Sequence, residues 1–109
     1  MTKVTFFKKE GKITAIECKG HTGYAERGED IVCASLSSIV QTAVLGILQV
    51  AGIKADYAVD EAEGYLKLTL PGALSAGARH DADVILNTLL LGVSDLYEGF
   101  SDFIELEVK

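Results

Sequence analysis

The sequence predicts an α+β fold in which strand hairpins alternate with single helices in the order ββαββαβ. Two observations lead to this prediction. Runs rich in β-branched and aromatic residues occur in pairs around short glycine-containing turns, and two longer segments carry apolar residues at helical spacing. Hairpin neighbours pair antiparallel, so we expect a mainly antiparallel sheet with both helices packed on one face. At 109 residues, the chain is expected to form a single domain, 1–109.

The first hairpin is predicted over Val4–Lys8 and Lys12–Cys18, joined by a turn at Gly11. Residues 20–30 follow, with three glycines and no apolar periodicity, which is typical of a loop. Asp30 has the side chain of an N-cap, since its carboxylate can accept from early backbone N–H groups of a following helix.

That helix is predicted over Ile31–Val50, before Gly52. The stretch has no charged side chain and is long enough to span a bilayer. At helical spacing, however, one stripe is polar and the opposite arc is apolar, which favours a helix packed on a protein core and no membrane partner. The stripe consists of Ser35, Ser38, Thr42 and Gln49, and the arc of Leu36, Ile39, Val40, Ala43, Val44, Ile47 and Val50. The uncharged stripe fits either a solvent face or a subunit contact.

The second half of the chain is predicted to repeat the order of a hairpin followed by a helix. A hairpin is predicted over Ala55–Asp60 and Tyr65–Leu70 around Gly64, and Asp102–Lys109 is predicted as the last strand. Between them, a helix should start near Ser75 or Asp81 and end near Gly99. The residues expected to face the core are Leu66, Leu68, Leu70, Ile85, Leu89, Val93, Leu96, Ile104, Leu106 and Val108.

The charge balance limits the kinds of molecule that we expect the chain to bind. Sixteen acidic against 10 basic residues give a net charge of −6, and the basic residues are scattered, so direct nucleic-acid binding is not expected. An acidic surface suits a basic protein partner, although it also serves solubility alone. The N-terminus has no secretory signal pattern, so we expect a cytoplasmic protein with reduced thiols.

Cys33 is a candidate nucleophile. With Asp30 as the cap, Cys33 would lie in the first turn of the helix, where unpaired N–H groups and the helix dipole favour a thiolate. The alternative is a small buried residue on the apolar arc. His21 lies in the glycine-rich loop that leads to the same helix, so a Cys–His pair is geometrically feasible, and an exposed loop histidine is the alternative.

Other chemistry has little support. Cys18 lies within a strand and is interpreted as structural. The two cysteines and two histidines lack zinc-ligand spacing, and His80-Asp81-Ala82-Asp83 is interpreted as the polar opening of the second helix, so we expect no metal. No GxSxG, P-loop or dinucleotide-binding glycine pattern occurs, and no cofactor is expected.

Residues 20–34 read GHTGYAERGEDIVCA. This segment resembles the signature of the bacterial ribosomal-processing cysteine protease family, Prp, and the chain length and element order agree with that family. Thr22 and Ser35 stand where the family pattern has smaller residues. The resemblance implies that Cys33 is the nucleophile and His21 its general base. It also implies a homodimer that removes a short N-terminal extension from a large-subunit ribosomal protein, cutting after paired bulky hydrophobic residues and before a small one.

The residue types in this segment allow a mechanism that is compatible with the roles implied for Cys33 and His21. His21 would accept the Cys33 proton, and backbone N–H groups at the helix start, including that of Cys33, would hold the oxyanion. Asp30 would either orient His21 or cap the helix. Gly20, Gly23, Tyr24 and Gly28 would form a mobile lid. Two alternatives stay open: a non-catalytic dimeric module that binds ribosomal proteins, with Cys33 structural, and a redox sensor that uses Cys18 and Cys33.

Overall fold

The computed structural model describes residues 1–20 and 27–109, and for residues 27–30 it describes the backbone alone. The predicted ββαββαβ order is confirmed. The elements are β1 (Thr2–Lys9), β2 (Lys12–Lys19), α1 (Arg27–Leu45) continued by a π-helical turn (Gly46–Val50), β3 (Asp56–Asp60), β4 (Tyr65–Thr69), α2 (Ala76–Gly99) and β5 (Ile104–Val108).

The strands form one five-stranded sheet in the order β3-β4-β2-β1-β5. The β1–β2, β2–β4 and β3–β4 pairs are antiparallel. The β1–β5 pair is parallel, because the chain leaves β4, crosses the sheet through α2 and returns beside β1. The sheet is therefore mixed but mainly antiparallel, as the α+β prediction requires, and β3 and β5 are its edges.

The strand register separates an apolar face from a polar one. Phe6 pairs with Ile16, which pairs with Leu68, and all three are buried. Because paired residues point to the same side of a sheet, these side chains mark the face that packs against α1 and α2 in one hydrophobic core. We call this side the inner face.

The opposite, outer face carries polar contacts between neighbouring strands. Lys3 forms an ion pair with Glu107 at 2.9 Å, and the Tyr65 hydroxyl donates to a Glu17 carboxylate oxygen at 2.9 Å. The ring of Phe7 lies beneath two lysine ammonium groups, 5.3 and 5.8 Å from its centroid. The helices therefore cover only the inner face, and the outer face is stabilised by cross-strand pairs.

The start of α1 corrects the sequence analysis. The helix begins at Arg27, not at Ile31, so the predicted cap residue Asp30 and the predicted loop residue Gly28 both lie within it. A single glycine costs a helix only about 1 kcal/mol relative to alanine. Burial of Val32 and Leu36 in the following turns outweighs such a cost, and for that reason the glycine-rich composition overestimated the length of the loop.

The apolar arc of α1 is otherwise confirmed. Its inward positions Leu36, Val40, Ala43, Val44 and Ile47 are buried, and Ile39 is partly buried against the same core. Val32, which the predicted arc did not include, is buried as well. Val50 was predicted to belong to this arc and is 86% exposed, because it lies at the end of the π-helical turn. By length and composition alone, residues 31–50 would also suffice to cross a membrane, a property shared with core helices of soluble proteins.

The two helices pack closely through glycines. A Cβ placed on Gly46 would lie 3.5 Å from the Ile85 side chain, and one on Gly92 would lie 3.5 Å from the Ile39 side chain. These two contacts run in opposite chain directions, so the helices are antiparallel. The start of α2 confirms one of the two predicted positions, since the Ser75 side chain accepts from the Ala78 N–H at 3.1 Å.

The last strand is buried at one end only. Ile104 is fully buried and Leu106 packs against the core, as predicted. Val108 was predicted to face the core as well, but it is 47% exposed, because it is the last residue of an edge strand.

Gly20, at the end of β2, has the strictest backbone requirement. Its φ is +105°, and a Cβ there would collide with the Met1 carbonyl oxygen and lie 3.2 Å from Thr2 Cα. Gly20→Ala is expected to lower the free energy of unfolding by about 2–4 kcal/mol, measured by urea denaturation. Gly11→Ala is the matched control, because its φ is +79° with open space around it, and it should cost about 1 kcal/mol. Equal losses in the two variants would contradict the close approach.

Candidate functional site

A cavity of about 370 Å³ opens on the inner face, between the first half of α1 and the β3–β4 edge of the sheet. That volume lies within the usual range of ligand sites, roughly 300–1,000 Å³. The residues lining it are Thr2, Cys18, Gly20, Cys33, Ala34, Leu36, Ser37, Val40, Gln41, Val59, Asp60, Glu61, Gly64, Tyr65 and Leu66. Aliphatic side chains form one part of the lining. The carboxylates of Asp60 and Glu61 and the polar side chains of Ser37 and Gln41 of α1 form another.

Cys33 lines this cavity and is partly buried. Its Sγ lies 3.5 Å from Oγ1 of Thr2, at the start of β1. Val32 and Leu36, on either side of Cys33 along the helix, are buried in the core, and they hold this turn of α1 against the sheet. The thiol therefore lies at the margin of the core, next to open space that a ligand could fill.

The position of Cys33 within α1 differs from the prediction. Since α1 begins at Arg27, Cys33 is its seventh residue and lies in the second turn, not the first. The dipole effect falls off within the first turn, and unpaired N–H groups occur only there. The predicted contribution of the helix terminus to a thiolate and to an oxyanion site at Cys33 is thus wrong, because its premise was a helix start at Ile31.

Gly20 lines the same cavity, and the chain continues from it directly to His21. His21, Gly23 and Tyr24 lie outside the described residues, and Asp30 is described only as helical backbone. The pairing of His21 with Cys33 and the orientation of His21 by Asp30 therefore stay predictions. The predicted lid stays a prediction for Gly23 and Tyr24, but it is wrong for Gly28, which lies within α1. The described part of the chain shows that Gly20 and Cys33, which flank the predicted loop, meet at one cavity.

Cys18 has the environment of a structural thiol, as predicted. It points to the inner face between Val4 and Leu66 and packs against the core. Burial, followed by the neighbouring Glu17 carboxylate, raises the pKa of Cys18 to about 12. Neither cysteine forms a disulfide.

The described residues offer no alternative metal chemistry. Among residues 1–20 and 31–109, whose side chains the structure describes, no three histidine, cysteine or carboxylate side chains come together in a way that could hold a metal ion. Asp83, in the sequence His80–Asp83, instead pairs with Arg79 and with Lys12 at 3.3 Å. This carboxylate joins α2 to the turn between β1 and β2.

Sequence reasoning missed two parts of the site. The wall formed by β3 and β4, with Val59, Asp60 and Leu66, could not be found from local patterns, because pairing with β2 brings it to the cavity. Thr2 could have been noticed. It has the same parity as Val4 and Phe6, which places a hydroxyl in line with core residues of one strand.

Comparisons with known proteins agree with the resemblance found in the sequence. The model of the family described as cysteine protease Prp matches residues 1–105. The ribosomal processing cysteine protease Prp of Bacillus subtilis (strain 168) is 27% identical over 103 residues, which are 94% of this chain and 92% of that protein.

Two solved structures share the fold over 100% of both chains. The essential ribosomal processing protease Prp from S. aureus in complex with a substrate peptide has a TM-score of 0.87 and 26% identity. The same protease with a covalently linked product peptide has a TM-score of 0.83 and 27% identity. The architecture of this chain is therefore the architecture of those proteins.

The two thiols are expected to react very differently in the folded protein. With a pKa of about 12, only about one Cys18 in ten thousand is a thiolate at pH 8, and its side chain is partly buried against the core. Iodoacetamide at pH 8, followed by peptide mass spectrometry, should label Cys33 and leave Cys18 unmodified until guanidinium unfolds the chain. Cys33→Ala should remove the labelling of the folded protein. Cys18 labelling at equal rates in folded and unfolded protein would contradict the burial of this thiol.

Proposed function

The chain belongs to the cysteine protease Prp family, and from that premise we propose that it is a cytoplasmic cysteine endopeptidase that acts without a cofactor. Its substrate is the N-terminal extension of a large-subunit ribosomal protein, cut after paired bulky hydrophobic residues and before a small residue. Cys33 is the nucleophile and His21 its general base. The observation that carries the proposal is the place of the Cys33 thiol, on a cavity that Gly20, the residue before His21, also lines.

The proposed reaction uses covalent catalysis. His21 accepts the thiol proton, the Cys33 thiolate attacks the scissile carbonyl, and His21 then protonates the leaving amine. Water hydrolyses the resulting thioester, which releases the carboxylate product and restores the thiol. Relatives support this assignment, because the Prp of S. aureus has been crystallised with a covalently linked product peptide.

The cavity walls suit the proposed substrate. Aliphatic side chains of Leu36, Val59 and Leu66 offer apolar contacts to bulky hydrophobic side chains of an extended peptide. Asp60 and Glu61 lie on the same cavity, and the chain has a net charge of −6. A negative surface favours encounter with a basic protein, and proteins that bind RNA phosphates are generally basic.

Cleavage is tested with a large-subunit ribosomal protein that carries its extension and a Phe-Phe-Ala junction. The wild-type chain should shorten it at that junction, as followed by the mass of the product. Cys33→Ala and His21→Ala should each lower kcat/KM by at least about a thousandfold, since either change removes a partner of the proton transfer.

His80→Ala is the matched control, because His80 is an exposed histidine on α2 and its loss should leave cleavage unchanged. Full activity of either Cys33→Ala or His21→Ala contradicts the proposed dyad. Binding of the ribosomal protein by the wild-type chain without cleavage would favour the non-catalytic module.

We also propose that the chain is a homodimer. The outward face of α1 supports this, because Ser38, Thr42, Leu45 and Gln49 are all exposed and none is charged. Leu45 is 52% exposed and adds an apolar side chain to the uncharged polar ones of this face. A dimer that used this surface would bury Leu45.

Light scattering of the purified protein should give twice the chain mass of 11.6 kDa. Leu45→Glu should reduce the mass to that of one chain, because a dimer would bury the new carboxylate in an apolar contact. Ala73→Glu, an exposed substitution outside the helices, should leave the mass unchanged. A wild-type protein that remains monomeric at high concentration contradicts the dimer.

A further inference from the structure

Thr2 has a polar side chain, but it lies at a position of β1 that faces the hydrophobic core. It lies on the inner face of β1, two residues before Val4, and is only 7% exposed. A buried hydroxyl almost always has a hydrogen-bond partner, because burying it without one costs free energy. The Thr2 hydroxyl meets the Cys33 sulfur at 3.5 Å, a distance within the range for a hydrogen bond to sulfur.

The backbone of Thr2 is fixed from three directions. Its N–H donates to the Phe103 carbonyl at 3.0 Å, and its Cα lies opposite Ile104 in the parallel β1–β5 ladder. Gly20 approaches so closely that a Cβ there would lie 3.2 Å from Thr2 Cα. A β-branched side chain on such a strand has few favoured χ1 rotamers, which limits the positions that the hydroxyl can take.

We propose that Thr2 is a positioning residue for the reaction of Cys33, which it serves by donating a hydrogen bond from its hydroxyl to the thiolate sulfur. The inference rests on the proposed function for its role in cleavage, whereas the contact itself is a property of the fold. Thr2 was not among the candidate residues predicted from the sequence, because the first strand was predicted to begin at Val4.

The chemistry of the contact favours the charged form of the sulfur. A neutral thiol can donate to the hydroxyl or accept from it, but a thiolate can only accept, so the Thr2 O–H must then donate. A hydrogen bond to a charged acceptor is stronger than one between neutral groups. The contact therefore stabilises the state that forms once His21 has taken the proton, and it aims the sulfur along a fixed direction. The Thr2 proton stays on its oxygen throughout.

The test compares Thr2→Val with Thr2→Ser. Valine keeps the β-branched shape and removes the hydroxyl, while serine keeps the hydroxyl. The rate of Cys33 alkylation by iodoacetamide is measured from pH 5 to 10 by peptide mass spectrometry. In Thr2→Val the midpoint of this profile should move up by about one pH unit, which corresponds to a tenfold weaker preference for the thiolate.

The rate near neutral pH should fall by only about threefold, because a more basic thiolate is also more nucleophilic. Thr2→Ser should restore the wild-type midpoint. Thr5→Val is the matched control, since it makes the same change on the same strand, on the outer face, and should leave the profile unchanged. Thr2→Ala also lacks the hydroxyl and should reproduce the shift. It replaces Thr2→Val in the test if that variant folds poorly.

Cleavage kinetics separate the two proposals. Thr2→Val should lower kcat by about three- to tenfold with little change in KM, because the hydroxyl acts on the sulfur and not on the bound peptide. If Thr2→Val shifts the alkylation profile but the wild-type chain cleaves nothing, the proposed function is refuted and the inferred contact between Thr2 and Cys33 is retained. An alkylation midpoint in Thr2→Val equal to that of wild type overturns the inference, whatever the peptidase activity.

Discussion

The packing of α1 on the inner face of the sheet determines everything else about the site. Val32, Leu36 and Val40 follow one another along the helix and are all buried, so this stripe fixes both the rotation and the depth of α1. Cys33 follows Val32 and therefore lies beside the buried stripe, turned toward the edge of the sheet. The cavity lies where the β3 edge of the sheet is left uncovered, and Val59, which lines it, is 47% exposed.

The start of β1 imposes a second constraint on the site. It fixes the position of Gly20, the residue before His21, relative to Thr2. Thr2 is paired on one side with β5 and meets Gly20 on the other. Because Gly20 has no Cβ, the end of β2 can approach this strand closely, and the chain then leaves toward His21 from a point on the cavity wall. The start of β1, the end of β2 and α1 are distant in sequence but meet at this cavity, where Thr2 contacts the Cys33 sulfur.

Regular patterns made most of the fold predictable, and the failures occurred where such patterns end. Alternation along β4 and helical spacing along α1 report burial directly, so the inward residues of both were found. The start of α1 was missed because Gly28 looks like part of a loop, whereas the decisive free energy comes from packing two turns later. Val50 and Val108 were misplaced because a periodic pattern does not show where the covering element stops. The cavity wall depends on strand pairing over a long sequence separation, which no local window contains.

The two cysteines show how position within one cavity separates a structural thiol from a candidate nucleophile. Both line the same space, yet Cys18 is part of a central strand, flanked by Val4 and Leu66, where burial and the Glu17 carboxylate oppose ionisation. Cys33 lies on a helix at the margin of the core and meets a hydroxyl that can donate to sulfur. A cysteine nucleophile reacts as a thiolate, so its surroundings must stabilise a negative charge. A hydrogen-bond donor at the sulfur does this, whereas a hydrophobic neighbour does not. The choice of Cys33 over Cys18 thus follows from the local surroundings of each sulfur, even though the helix terminus contributes less than its sequence suggested.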